Sequence, residues 1–270
     1  MNKPSIIRAI TLAVGAGAAL ALTVPASASP RMTAASASGG DGVTIHHGAL
    51  KLAHIDPGIG LGTATATSTR TFAGYETAVT AGSATVATAS FTVPTLSCTA
   101  SESDNAIALS AGVPVDKGKS ASIAYVFTGC VNGQATYYPG LLVNGTETDY
   151  PTAPVAAGDV IDLTTKVSVN RTRVQVTDVT TNVTEKLMGS GASASDAYFG
   201  DSGWGSSTGA LVHVPDFGKL TYKDCLIDGK ALASWRPHSY QRVNSIGRVQ
   251  ITTGGIWPTG TAFTTHFQHT

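Results

Sequence analysis

This 270-residue chain has no glutamate after Glu185 and no glutamine before Gln134. Charged residues make up only 13% of it and aromatics 7%, with Lys+Arg and Asp+Glu equal at 17 each. The absence of net charge and of a basic cluster argues against nucleic acid or anionic membrane as the main partner. Long helix-forming residues are scarce, while Thr, Ser, Ala, Val and Gly dominate. That balance disfavours a helical domain and favours an all-β one. The only cysteines, Cys98, Cys130 and Cys225, are scattered and have no close histidine partners, so they make no zinc site. No cofactor is implied.

The N-terminus carries the marks of a secretory signal. Lys3 and Arg8 supply the positive region, Ala9 to Val24 is apolar, and Ala26-Ser27-Ala28 offers a small-x-small cleavage pattern. The apolar run is shorter than the ~20 residues a spanning helix needs, and Pro25 ends it. Residues 1–28 are therefore expected to be removed and the protein to be secreted and extracellular. Export makes a disulfide expected and the odd count leaves one thiol over. Cys98 and Cys130 flank the same early segment and are the expected pair, although the sequence leaves other pairings open.

Residues 29–69 are small, polar and glycine-rich, and read as a linker or propeptide-like arm. From Thr71 the pattern changes. Ala87, Ala89, Phe91 and Val93 alternate with polar residues up to Pro94. Similar short runs follow, separated by Gly, Pro, Asn and Asp, among them 106–110, 122–128, 136–143, 160–169, 209–214, 218–222, 247–252 and 262–268. Segments 172–178 and 181–188 predict a hairpin around a polar turn. Strands at this spacing predict an antiparallel β-sandwich over residues 70–270.

Several of these stretches resemble the glutamic peptidases (the eqolisin, or G1, family). They are Phe72-Ala73-Gly74-Tyr75, the strand from Ala87 to Pro94 with Cys98 after it, Cys130-Val131-Asn132-Gly133 leading into Thr136-Tyr137-Tyr138-Pro139, Ala157-Gly158-Asp159, and Asp216-Phe217-Gly218. The resemblance covers about residues 70–270 and rests on the joint order of these motifs. It implies a sandwich of strongly curved antiparallel sheets, similar in shape to a legume lectin, with substrate in the concave face. It also implies chemistry in which a glutamate activates water and a glutamine amide stabilises the oxyanion, an effect worth ~3 kcal/mol or more.

The chemistry of that family is missing. Its glutamine should fall near Ile123, or near Tyr125 or Phe127 if the register slips, and no Gln or Glu lies between Ala111 and Gly133. Its glutamate position matches Gly203, beside Trp204. The family's aromatic-acidic patch is replaced by Pro139-Gly140-Leu141-Leu142. Asp201, and secondarily Asp196, are the fallback candidates for a base, although both also suit turns in a Gly/Ser-rich loop. Gly200-Asp201-Ser202-Gly203 matches the nucleophile segment of trypsin-like serine peptidases, with His54 and Asp104 upstream in the required order. Trp204 replaces that motif's last glycine, and His54 sits in a polar turn.

His46-His47 and His266 with His269 lack the Asp, Glu or Cys neighbours of a metal site. His213 falls on an expected strand. Asn144, Asn170 and Asn182 head Asn-x-Thr sequences, which carry no weight in a bacterial protein, the source that the composition and signal suggest. Tyr125, Tyr137, Tyr138 and Trp204 are candidates to line the concave face, where aromatics suit a peptide or polysaccharide. The expected protein is a secreted, monomeric, non-catalytic binder on a glutamic-peptidase fold. The alternatives are an acid endopeptidase using Asp201 or another carboxylate, and a serine hydrolase through Ser202. The neutral composition, with pI ≈ 7.0, leans away from the strongly acidic peptidases.

Overall fold

The computed structural model describes residues 66–100, 104–204 and 211–269, all within the compact unit Ile45–Thr270. The signal segment, most of the arm, His46, His47, His54 and the side chain of Asp104 lie outside the described residues. Among the described residues no helix is long and apolar enough to cross a membrane.

The chain runs through β1 (Thr67–Thr69), β2 (Phe72–Ala78), β3 (Thr85–Thr92), β4 (Asp104–Val115), β5 (Ser120–Val131) and β6 (Gln134–Val143). Next come β7 (Thr146–Asp149), β8 (Val160–Val167), β9 (Arg171–Asp178), β10 (Val183–Ser190) and β11 (Asp196–Gly203). Last are β12 (Lys219–Ile227), β13 (Lys230–Ala231), β14 (His238–Val243), β15 (Val249–Thr253) and β16 (Phe263–Phe267). They form one 16-stranded sheet in the order β10-β9-β8-β3-β12-β16-β15-β14-β2-β11-β4-β5-β6-β7, with β1 and β13 pairing to its side.

This sheet curls onto itself. β4 meets β3 and β8, β5 meets β8 and β9, β6 meets β9 and β10, and β11 meets β3 and β12. Two layers result, one built on β10-β9-β8-β3-β12 and the other on β2-β11-β4-β5-β6-β7. The expected antiparallel β-sandwich is therefore present. Between the layers lies the main core, with Phe91, Leu109, Val126, Leu163, Phe199, Tyr222 and Phe263. β3, β8 and β9 alternate buried and exposed residues because one face of each meets solvent. β5 does not alternate: all of it is buried except its two end residues. Ala124 and Val126 face the inter-layer core, whereas Ile123, Tyr125 and Phe127 belong to a second apolar cluster on the layer's other face.

The hairpin expected around residue 180 is β9–β10, and its turn is closed by Asp178, which accepts from Thr180 N, Thr181 N and the Thr181 hydroxyl. Cys98 and Cys130 are joined, with Cα atoms 5.6 Å apart, and Cys225 is a buried free thiol. The bridge closes a 32-residue separation, so replacing both cysteines by alanine should lower stability by about 3–4 kcal/mol, read as a reduced urea midpoint.

Other expectations need correction. The 209–214 strand does not form over its described part, since 212–214 run irregularly and His213 is exposed there. At the end of the 29–69 segment, β1 pairs in parallel with β14. β11 and β14 escaped the periodicity reading for a physical reason. β11 is buried on both faces and contains glycine, and β14 is His-Ser-Tyr-Gln-Arg-Val, so neither shows apolar–polar alternation.

Candidate functional site

The second layer's outward face is organised in cross-strand rows. One row reads Tyr240, Gly74, Gly200, Ser110, Tyr125, Gly140, Asp149, from β14 through β2, β11, β4, β5 and β6 to β7. The next reads His238, Glu76, Tyr198, Gly112, Ile123, Leu142, Glu147 across the same strands. On the other side lies Phe72, Ser202, Ala108, Phe127, Tyr138. Period-two alternation puts all of these on one face.

Glycines in the rows make room for rings from neighbouring strands. A Cβ at Gly112 would stand 2.3 Å from Tyr198 Cζ, and one at Gly140 would stand 2.1 Å from Tyr125 Cζ. Phe127 stacks on Tyr138 with centroids 4.4 Å apart, and Trp204 meets Phe127 and Tyr125 edge-on at 5.1 and 5.8 Å. Tyr125 and Trp204 thus lie in one aromatic pavement with Tyr138. Tyr137 does not join them. It points to the other side of β6, where its hydroxyl donates to Pro94 O and accepts from Leu96 N, as strand alternation requires of the residue beside Tyr138.

Hydroxyls occupy the middle of the face. Ser110 Oγ donates to Gly200 O at 2.8 Å and lies 3.0 Å from Ser202 Oγ, and both serines are buried. Ser202 is therefore held by another serine, and among the described residues no histidine is hydrogen-bonded to it. The buried Tyr198 hydroxyl lies close to both serines, but no hydrogen bond there has good geometry.

Carboxylates stand at both ends. On β2, Glu76 is half-buried, with Asp196 and the Tyr240 hydroxyl nearby. Burial, then repulsion from Asp196, pushes its carboxyl up to about 7, against the opposing hydrogen bond from Tyr240. On β7, Glu147 and Asp149 flank the Tyr125 hydroxyl, which donates to Asp149 at 2.7 Å and contacts Glu147. Burial, followed by these two carboxylates, pushes the Tyr125 phenol far up.

Asp201 lies on the opposite side of β11, in the inter-layer core. It is fully buried and accepts a hydrogen bond from Tyr222 at 2.7 Å. Desolvation pushes its carboxyl up to about 7, although the Thr265 and Tyr222 hydroxyls and the Arg242 charge oppose that shift. Sealed there, Asp201 has no route to a water on the paved face. Asp196 is at the edge of that face. Gly203 shares the side of Asp201, and a Cβ on it would lie 3.2 Å from Arg242 Nη1. A residue at 203 therefore points toward Arg242 rather than toward Ile123, which stands fully buried between Gly112 and Leu142 on its row.

Glu76, Ser110, Glu147, Asp149, Tyr198 and Tyr240 were not singled out by the sequence reading. The 72-74-76 alternation would have found Glu76. The others need the register of neighbouring strands. Among the described residues no group of three or more His, Cys, Asp or Glu is placed to hold a metal ion.

The curled antiparallel sheet agrees with one family. The model of the peptidase A4 family matches residues 70–254. The chain belongs to the peptidase A4 family. Scytalido-glutamic peptidase, solved with a peptide-based transition-state analogue, is similar in fold at a TM-score of 0.60 and 17% identity, covering 74% of this chain and 98% of that one. SCP-B, an eqolisin solved with the tripeptide Ala-Ile-His, is similar at a TM-score of 0.56 and 17% identity, covering 74% and 98%. Aspergilloglutamic peptidase from Aspergillus niger is similar at 0.50 and 19%, covering 61% and 100%. No curated protein sequence matches the chain. This A4 member keeps the family's antiparallel sheet.

Proposed function

We propose that this chain is a secreted member of the peptidase A4 family that has lost the family's reaction and binds extended peptide across the paved face. The observation that carries this reading is the row Glu76–Tyr198–Gly112–Ile123–Leu142–Glu147. Its centre holds apolar side chains where catalysis needs an amide donor and an acid. Only its ends hold carboxylates. The similar solved proteins carry peptide ligands, which favours peptide over polysaccharide. The N-terminal signal pattern and the disulfide support export.

The acidic ends define the ligand further. From β2 to β7 the face spans about 24 Å at the usual strand spacing, a distance covered by about seven extended residues. A peptide with a basic residue near each end would set one cation by Glu76 and Asp196 and the other by Glu147 and Asp149. Purified protein should leave casein intact across pH 2–8. It should bind a Lys-capped heptapeptide in a fluorescence titration, about tenfold more weakly in Glu76→Gln. Cleavage of casein, or equal binding of a Glu-capped peptide, would overturn the proposal.

The second reading is an acid endopeptidase, and one observation favours it. Glu76 holds its proton up to about 7 beside Asp196 on the paved face, where Asp201 is not. Under this reading, Glu76→Gln abolishes any cleavage while Asp201→Asn retains it. If Ser202→Ala alone removed cleavage, the serine hydrolase reading would replace both.

A further inference from the structure

Among the described residues, three hairpins close with two-residue turns that end in glycine. Asn132-Gly133 joins β5 to β6, Asn144-Gly145 joins β6 to β7, and Asp228-Gly229 joins β12 to β13. Both residues of each turn have positive φ: 52° and 73°, 50° and 85°, and 52° and 74°. That is the type I′ conformation, which Asn-Gly and Asp-Gly adopt readily. Asn-Gly is also chemically exposed. The glycine nitrogen, unshielded by a side chain, can attack the amide carbon of the asparagine before it. Every other asparagine of the chain is followed by a residue that bears a side chain.

The fold treats the two Asn-Gly turns differently. Asn144 is half-buried and held at both amide atoms. Its Oδ1 accepts from Ser122 Oγ at 3.2 Å and from Thr172 Oγ1 at 3.4 Å. Its Nδ2 donates to Ser190 O at 3.0 Å and to Ser190 Oγ at 3.2 Å. The neighbouring nucleophile is engaged as well, because Gly145 N donates to Ala121 O at 3.0 Å. Asn132 is exposed. Among the described residues, neither its side-chain amide nor Gly133 N has a hydrogen-bond partner. Asp228 presents a carboxylate, which is a weaker electrophile than an amide, and its Oδ1 accepts from Val86 N at 2.7 Å.

We propose that Asn132 is a self-modification site, converting spontaneously to aspartate and isoaspartate while Asn144 stays intact. Gly133 N loses its proton and bonds to Asn132 Cγ. The Cγ–Nδ2 bond breaks, ammonia leaves, and a succinimide ring remains. Water then opens the ring at Cγ to give aspartate, or at the main-chain carbonyl to give isoaspartate. The net change is one water consumed and one ammonia released, with nothing oxidised or reduced. Each conversion adds one negative charge to a chain whose Lys+Arg and Asp+Glu are equal at 17. Isoaspartate also carries the main chain through its side chain, lengthening a turn that closes on the Val131–Gln134 pair. Cys130, joined to Cys98, anchors the strand just before that pair and confines the change to the hairpin tip.

Peptide mapping of purified protein aged at pH 8.5 tests this. In the native fold Asn132 should convert about a hundredfold faster than Asn144, because the Ala121, Ser122 and Ser190 bonds must open first and each is worth roughly a factor of five. In urea above the unfolding midpoint the two rates should converge, since the same dipeptide then has no fold around it. Equal rates in the native protein, or an unchanged Asn132, would overturn the proposal. Asn132→Gly leaves a Gly-Gly pair that still suits the turn, and it should abolish the acidic species that appears first on anion exchange. Persistence of that species at the parent's rate would place the reaction elsewhere and would also overturn it.

Discussion

Asp201→Asn should match the parent protein's stability at pH 4 and exceed it by about 3–4 kcal/mol at pH 8. The carboxyl ordinarily titrates at 3.8 and is pushed to about 7 in the fold. A group whose folded value is raised stabilises the native state while protonated. That contribution is complete below about 4 and is lost as the pH climbs through about 7. Above that range the parent buries an ionised carboxylate, whereas the variant keeps a neutral amide whose oxygen can still accept from Tyr222. Glu76 contributes in the same direction, from 4.5 to about 7, but its partial exposure makes its share smaller. Urea unfolding at pH 4, 6 and 8 measures the difference. A variant less stable than the parent at pH 8 would show that the Asp201–Arg242 attraction outweighs desolvation.

Trp204→Ala should cost about 3–5 kcal/mol, the range for removing a buried large aromatic. Trp204 is 4% exposed and braces both Tyr125 and Phe127. Its loss leaves a cavity over β5, the strand buried on both sides, and frees the Tyr125 ring that places its hydroxyl between Glu147 and Asp149. Peptide binding should fall along with the urea midpoint. Trp257, at 45% exposed, provides the contrast, and its replacement by alanine should change stability by no more than about 0.5 kcal/mol. Equal effects at the two tryptophans would mean that the pavement is not the structural unit described.

The paved face is held together by apolar packing at its centre. Ile123 and Leu142 sit in a row whose glycine, Gly112, receives the Tyr198 ring. Apolar packing there stabilises the layer, where a polar dyad would need desolvation offset by hydrogen bonds. Acidic groups are instead gathered on β2, β11 and β7, at the ends of the rows.

Composition and alternation alone determined that this chain is an antiparallel β-sandwich, that β9 and β10 form a hairpin, and that no Gln or Glu lies between Ala111 and Gly133. These properties are local or compositional: period-two burial marks a strand with one wet face, and a residue type absent from a window cannot be supplied by folding. The Cys98–Cys130 pair was legible for a similar reason, since both cysteines flank the same early segment. Only the tertiary structure decided which side of a strand each candidate faces. It turned Tyr137 and Asp201 away from the paved face, placed Glu76 on it, and brought β7 carboxylates to Tyr125. Register across several strands sets those neighbours, and a shift of one residue exchanges the two faces. The windows without Gln or Glu are a property of the sequence, and cross-strand register decided which side chains, Glu76 and Glu147 among them, stand on the face.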